Sequence, residues 1–227
     1  MSRTQDEIRR IKMIVVRDAA ISDVNAVADL HILTFPGYFL SHLGRRFLRL
    51  FYAFFLVNEA SHCIVAANGD KVIGFVAGTS NGIQHYTGFY RRKFVQIAFI
   101  VGARFLQDPV VRREIVRRAD HLRFAAAALL RPGPRPLAMP EKESDQTPAR
   151  LLSIAVHPDY RGKGVAERLT DFLISRVCRD GMSRVGLTVK QDNTRAIAFY
   201  KKDKWIVERT TSEPVRFYRD VAERSST

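Results

Sequence analysis

Short runs of aliphatic and β-branched residues alternate with longer stretches whose apolar positions recur every three or four residues, the pattern of strands interleaved with amphipathic helices. Met13-Ile14-Val15-Val16-Arg17 reads as a first strand, and Ser22 offers a helix N-cap ahead of Val24, Val27, Ala28 and Leu30. Phe35-Pro36-Gly37-Tyr38-Phe39 breaks that helix. Leu40, Leu43, Phe47, Leu50, Phe51 and Phe54 then recur at helical spacing and predict a second, strongly amphipathic helix. Two β-rich runs, His62 to Ala67 and Lys71 to Gly78, flank the turn cluster Asn68-Gly69-Asp70 and predict a hairpin.

After Gly82 the period turns helical, breaks near Asp108-Pro109 and continues through Leu130, where Pro132, Gly133, Pro134 and Pro136 stop it. A polar linker follows to Pro148. Leu151 to Val156 is a nearly continuous apolar run, as expected for a strand covered on both faces. A glycine loop then leads into a helix carrying Leu169, Phe172, Leu173 and Val177, closed by Asp180-Gly181 before the strand Val185 to Val189. Asn193 or Thr194 opens a short helix through Ala196, Ile197, Phe199 and Tyr200. Trp205 to Val207 and Val215 to Tyr218 close the chain as two strands, and no internal repeat is present.

The 227 residues are read as one α/β domain spanning residues 1–227, with a helical insert at about 83–148. An apolar fraction of 46% beside a charged fraction of 26% is that of a chain able to bury a core, which excludes a disordered or collagenous one. Cys63 and Cys178 stand alone, without a C-x-x-C or Cys/His spacing, so neither a disulfide framework nor a metal site is expected. The opening Met1 to Arg10 carries charge where a signal peptide needs an apolar run, and no stretch reaches the roughly 18 apolar residues of a membrane span. A reducing, cytoplasmic location is the expectation.

Net charge is +14, which favours an anionic partner. The charge is uneven: between Tyr86 and Arg135 eleven basic residues meet only Asp108, Glu114 and Asp120. Three readings fit that basic insert: a solvated face, a peripheral contact with an anionic membrane surface, or an acidic substrate. Phe94 to Val101 is apolar enough to cover the domain or to lie in a bilayer interface, and too short to span one. Nucleic acid is disfavoured, because no reader motif accompanies the charge. Nothing in the pattern sets an oligomeric state.

The candidate chemistry lies between the apolar strand and the helix after it, in Val156-His157-Pro158-Asp159-Tyr160-Arg161-Gly162-Lys163-Gly164-Val165-Ala166. Gly162 and Gly164 remove side chains that would hold a ligand away, while the unpaired N–H groups of a helix start and its dipole favour an anion. Arg161 and Lys163 add positive charge, and the small Ala166 allows close approach in the first turn. The loop suits a pyrophosphate. It lacks the Lys-Ser/Thr ending of a P-loop and the three spaced glycines of the dinucleotide fingerprint, so both of those nucleotide folds are disfavoured.

With Arg161, Gly164 and Ala166 in place, the loop resembles the Gln/Arg-x-x-Gly-x-Gly/Ala signature of the GNAT superfamily of acyl-CoA-dependent N-acyltransferases. Asn193-Thr194-Arg195-Ala196-Ile197-Ala198-Phe199-Tyr200 looks like the second signature of that family, an Asn opening a helix that carries Phe-Tyr. The resemblance is specific over residues 151 to 205 and looser over residues 13 to 78; residues 83 to 148 lie outside it. It implies a mixed, mostly antiparallel central sheet flanked by helices, with the helical insert between the third and fourth strands. It further implies acetyl-CoA as co-substrate, direct attack by a primary amine in a ternary complex, and no metal.

By the same resemblance, pantetheine would run along Ile154, Ala155 and Val156, and the loop Arg161, Gly162, Lys163, Gly164, Val165 and Ala166 would hold the pyrophosphate. Asn193 would bind pantetheine or cap its helix, and Tyr200 would protonate the departing thiolate. Phe35 and Tyr38 fall where the family builds acceptor-side surface, and their aromatic faces suit a small-molecule amine, an amino sugar among them. The sequence departs from the family at Lys204, where a Gly is usual, so the helix must end without the preferred left-handed Gly, at a modest stability cost. It departs again on the pantetheine strand, where many members carry a Glu base and this chain has Ser153 as the only polar residue. The resemblance therefore names no base. His31, His42, His85 and His157 are chemically able, but an isolated His is usually structural, and His157 is better placed for the turn than for an amine. The missing base keeps a second reading open: a noncatalytic acyl-CoA-binding module that acts on a membrane or protein partner through its basic insert.

Overall fold

A computed structural model describes residues 14–117, 149–209 and 214–221. Strand β1 (Ile14–Asp18) leads through a short 3-10 turn into α1 (Val24–Thr34) and α2 (Phe39–Phe55). The hairpin β2 (Ser61–Asn68) and β3 (Lys71–Thr79) follows, then α3 (Gly82–Gln107) and α4 (Pro109–Arg117). After residue 148 come β4 (Ala149–Val156), α5 (Val165–Arg179), β5 (Arg184–Val189), α6 (Thr194–Lys202), β6 (Ile206–Arg209) and β7 (Val215–Asp220). The expected continuation of the insert to Leu130, and the linker to Pro148, lie outside the described residues.

The seven strands form one sheet in the order β1-β2-β3-β4-β5-β7-β6. Every neighbouring pair is antiparallel except β4 with β5, which run parallel. This is the mixed, mostly antiparallel sheet that the family resemblance implies, with α3 and α4 between the third and fourth strands. Alternation along the strands divides the core. Ile64 and Val76 turn to the face covered by α5, where Leu169, Leu173 and Val177 meet them. Cys63, Val65, Phe75 and Ala77 turn to the other face, against Phe47, Phe51, Phe55 and Phe89 of α2 and α3.

One close approach fixes how α5 lies on the sheet. A methyl group added at Gly78 of β3 would lie 2.8 Å from the Leu173 side chain and 2.9 Å from the Arg150 carbonyl oxygen. The helix therefore rests directly on the β3–β4 pair, and its first turn lies near the carboxyl end of β4, where a methyl at Gly74 would be 3.3 Å from the Val165 side chain and 3.2 Å from the Ala155 carbonyl oxygen.

Candidate active site at the parting of β4 and β5

Strands β4 and β5 pair only at their starts, Ala149 with Val185 and Arg150 with Gly186. Beyond that point β5 keeps its register with β7 as far as Val189 opposite Val215, while β4 stays with β3. The cause is local. Leu151 faces Gly78 and Ser153 faces Ala77, so Leu152 is an extra residue on β4, and such a bulge bends its strand. The strands part, and Leu152, Ser153 and Ile154 remain half-buried. Both faces of the strand are covered as expected, Leu151 and Val156 in the core under α5 and Ala155 in the aromatic core; the opening lies along the edge of β4.

The opening has a polar lining made of main chain. The His157 N–H donates to the Ile73 carbonyl at 2.7 Å, and alternate residues of an antiparallel ladder bond to the same neighbour. Ala155 therefore turns its amide groups to β3, while Ile154 and Val156 turn theirs to the gap. The Val156 carbonyl accepts from Arg161 Nε at 3.1 Å, which folds the arginine back against the strand end.

At that end His157 caps the turn Pro158–Tyr160, the place the sequence suggests for it. Gly162 and Gly164 follow with φ of 72° and 71°, a left-handed conformation that disfavours any residue with a Cβ. A methyl at either would meet nothing within 4 Å, so the loop opens outward. Gly164 is the N-cap of α5 and gives it no side-chain cap, leaving the first-turn N–H groups to an outside acceptor. Partial burial holds the Arg161 guanidinium below its ordinary pKa, and the nearby charge of Arg195 adds to the effect. Lys163 Nζ lies 5.8 Å from the Tyr160 ring centre. Two guanidiniums brought together at a bare helix start make a site for an anion. Arg195, on the first turn of α6, was not among the site residues expected from sequence; its signal is only its place just after the Asn193 cap.

Asn193 Oδ1 accepts the Ala196 N–H at 3.2 Å and so caps α6. One turn on, Tyr200 is buried, with ring centres of Trp205 at 5.4 Å and Phe217 at 5.6 Å. Burial pushes its phenol well above the ordinary value, and Asp203 adds to the rise. Lys204 has φ 58° and is the only non-glycine in that region among the described residues. The helix ends in the left-handed geometry for which a Gly is preferred, and a lysine holds it.

On the opposite face the α1–α2 loop approaches the same gap. The Phe35 ring lies 4.9 Å from His31 and 5.2 Å from Tyr38. Lys190, the first residue past β5, sets its Nζ 4.3 Å from the centre of the Tyr38 ring. The loop thus reaches the β5 side of the opening. Below it runs a buried polar chain: His31 Nδ1 is 2.6 Å from the Tyr52 hydroxyl, and Tyr52 donates to Ser153 Oγ at 3.3 Å. Burial lowers the His31 imidazole to about 4, so the ring is neutral at neutral pH, and burial pushes the Tyr52 phenol up. Sequence reasoning missed Tyr52, the one hydroxyl in the aromatic stripe of α2. His85 is also buried and neutral, bonded to Ser61 Oγ at 2.8 Å, and His42 faces Asp108 at 3.2 Å.

Residues 116–204 match the family model described as Acetyltransferase (GNAT) family. Over that stretch, less than half of the chain, the sequence resembles the GNAT acetyltransferases. Among curated proteins it is similar to an acetyltransferase of Sodalis glossinidius, 39% identical over 49 residues, and to one of Pectobacterium atrosepticum, 37% identical over 49 residues. Those stretches cover 22% of this chain and 34% and 35% of the relatives, so the match spans about a third of their length. Three solved structures share this fold. SsHAT superposes with a TM-score of 0.60 at 22% identity, over 92% of this chain and 99% of that one. The PaiA N-acetyltransferase of Thermoplasma acidophilum, in complex with coenzyme A, gives 0.55 at 14%, over 91% and 98%. The ribosomal-protein-S18-alanine N-acetyltransferase of Escherichia coli gives 0.51 at 14%, over 95% and 98%.

Proposed function

We propose that this chain is an acetyl-CoA-dependent N-acetyltransferase acting on a primary amine of a small molecule. The observation that carries the reading is the bare, outward-opening start of α5 at the end of a strand that has parted from its neighbour. The structural likeness to an N-acetyltransferase in complex with coenzyme A supports the donor. The pyrophosphate sits on the N–H groups of Gly162 to Ala166, with Arg161, Lys163 and Arg195 neutralising its charge. Pantetheine runs up the gap against the main chain of Ile154 and Val156. Ala155, whose amide groups serve β3, spaces the two rather than binding. Asn193 keeps α6 in place, and its side-chain N–H2 remains available for the same ligand.

Attack by the amine on the thioester carbonyl forms the N–C bond and breaks the C–S bond; the amine loses one proton and the departing sulfur gains one. Tyr200 is the group we assign to that sulfur. Burial keeps its phenol protonated, so a hydrogen is always on hand. A buried phenolate is costly, so the proton it gives up is replaced as the amine sheds its own. Phe35 and Tyr38 present ring faces to the acceptor, which suits the apolar face of an amino sugar. His31 is too weak a base at about 4 to take the amine proton. Its part is to orient Tyr52 and Ser153 beneath the gap.

Thiol release from acetyl-CoA, followed across a panel of amino sugars, polyamines and amino acids, tests the reading. Amine-dependent release with the acetylated amine as product is the expected result. Binding of acetyl-CoA without release for any amine would favour the noncatalytic module instead. Tyr200→Phe is expected to lower kcat about tenfold or more with little change in acetyl-CoA affinity; unchanged kcat would remove Tyr200 from the chemistry.

A further inference from the structure

Helix α3 is apolar on both sides. Ile97, Ile100 and Val101 face inward and pack on the aromatic core, and Arg104 also turns inward, its guanidinium against Gly44. The outward side of a helix on a water-exposed surface is ordinarily polar. Here it carries Val95, Phe99 and Leu106, exposed to 78%, 73% and 76%, with Phe94 beside them at 53%. At 3.6 residues per turn these first three fall on one stripe. Val110 and Val116 continue the exposed apolar surface on α4, which bends from α3 by 115°.

The rim of this surface is cationic. Arg91 and Arg92 flank the stripe at its start, and Arg112, Arg113 and Arg117 are exposed on α4. From Gly82 to Arg117 seven basic residues face two acids, and both acids are engaged. Asp108 caps α4 through the Val110 N–H at 2.8 Å, and Glu114 pairs with Arg117 at 2.8 Å. A second copy docking here would set the same arginines against each other, which opposes self-association. No single described helix is long and apolar enough to cross a membrane; α3 and α4 reach that length and apolarity only together, across a bend of 115°.

We propose that the outward face of α3 and α4 docks on a lipid bilayer bearing anionic headgroups. The aliphatic and aromatic row enters the headgroup–acyl boundary, while the arginines extend to lipid phosphates. The surface acts on location and shares no residue with the proposed donor cleft, so its test is independent of the transferase reading.

Flotation of the whole chain with vesicles decides it. Phosphatidylcholine vesicles containing phosphatidylglycerol should carry the protein at least about tenfold better than phosphatidylcholine alone, and Arg91→Ala and Arg92→Ala should each weaken binding about fivefold. Val95→Asp/Phe99→Asp/Leu106→Asp should abolish flotation, and the milder Val95→Ser/Phe99→Ser/Leu106→Ser should reduce it, with thermal midpoint and acetyl-CoA affinity unchanged in both. Equal recovery on the two vesicle types, no recovery on either, or flotation indifferent to the apolar substitutions would each overturn the proposal. So would a dimer in light scattering that the serine variant dissolves, since the face would then be covered by a second copy.

Discussion

The two faces of the sheet are built by different means. The face under α5 is aliphatic where that helix meets β2 to β4, with Tyr200, Trp205 and Phe217 packed at its α6 end, and its candidate donor-binding groups are main-chain amides at Ile154, Val156 and the Gly162–Ala166 turn, with surface cations added. The opposite face, under α1, α2 and α3, is aromatic and buries two neutral histidines and a tyrosine hydroxyl within it. A site of amides and glycines depends on backbone shape and tolerates changes in pH. A core threaded with titratable side chains does not. The donor side should therefore fail through geometry, and the acceptor side through protonation.

Acid should produce the largest effect. Folding lowers His31 and His85 from 6.5 to about 4, so below 6.5 the unfolded chain takes up protons that the folded chain refuses. Stability is whole above about pH 6.5 and falls as pH drops toward 4, by up to about 3 kcal/mol for each histidine. Urea midpoints followed across that window check it, and a flat profile would erase the distinction between the faces. Next is Gly164→Val. A β-branched residue at φ 71° is strained, although its Cβ meets no protein atom. Acetyl-CoA affinity should fall about thirtyfold by calorimetry, and stability by about 1–2 kcal/mol; unaltered affinity would remove this turn from the donor site.

Smaller effects separate structure from binding at α6. Asn193→Ala removes the cap and should cost about 1 kcal/mol in thermal or chemical melts. A KM for acetyl-CoA that stays level would confine Asn193 to capping, while a rise would add contact with pantetheine. Lys204→Gly should stabilise the chain by about 0.5–1 kcal/mol by relieving the left-handed lysine, with kcat unchanged.

Most of the sheet and both α5-face motifs were legible in the sequence, because each rests on local chemistry. Glycines mark left-handed turns, Asn193 marks a helix start, and the hairpin at Asn68 to Lys71 follows from its turn residues. Lys204 shows the same logic in reverse, since the missing glycine predicted a strained helix end and the chain adopts it. The parting of β4 from β5 was not legible. It depends on the two-to-one register of Leu151–Ser153 against Gly78 and Ala77, a relation between segments more than seventy residues apart in sequence. The same holds for the His31–Tyr52–Ser153 chain and the Lys190 contact with Tyr38, each of which joins elements that only the fold brings together. The outward stripe of α3 had a local signal in Phe94 to Val101, but periodicity alone did not say which side faced water.

The central claim is that the start of α5 grips the pyrophosphate of an acyl-CoA lying in the β4–β5 gap. Calorimetric titration of the whole chain with acetyl-CoA and with S-acetylpantetheine, which lacks the pyrophosphate, tests it most directly. Two anionic phosphates on helix amides and three cations should make acetyl-CoA bind at least about a hundredfold more tightly. Equal affinity for the two ligands would contradict the account.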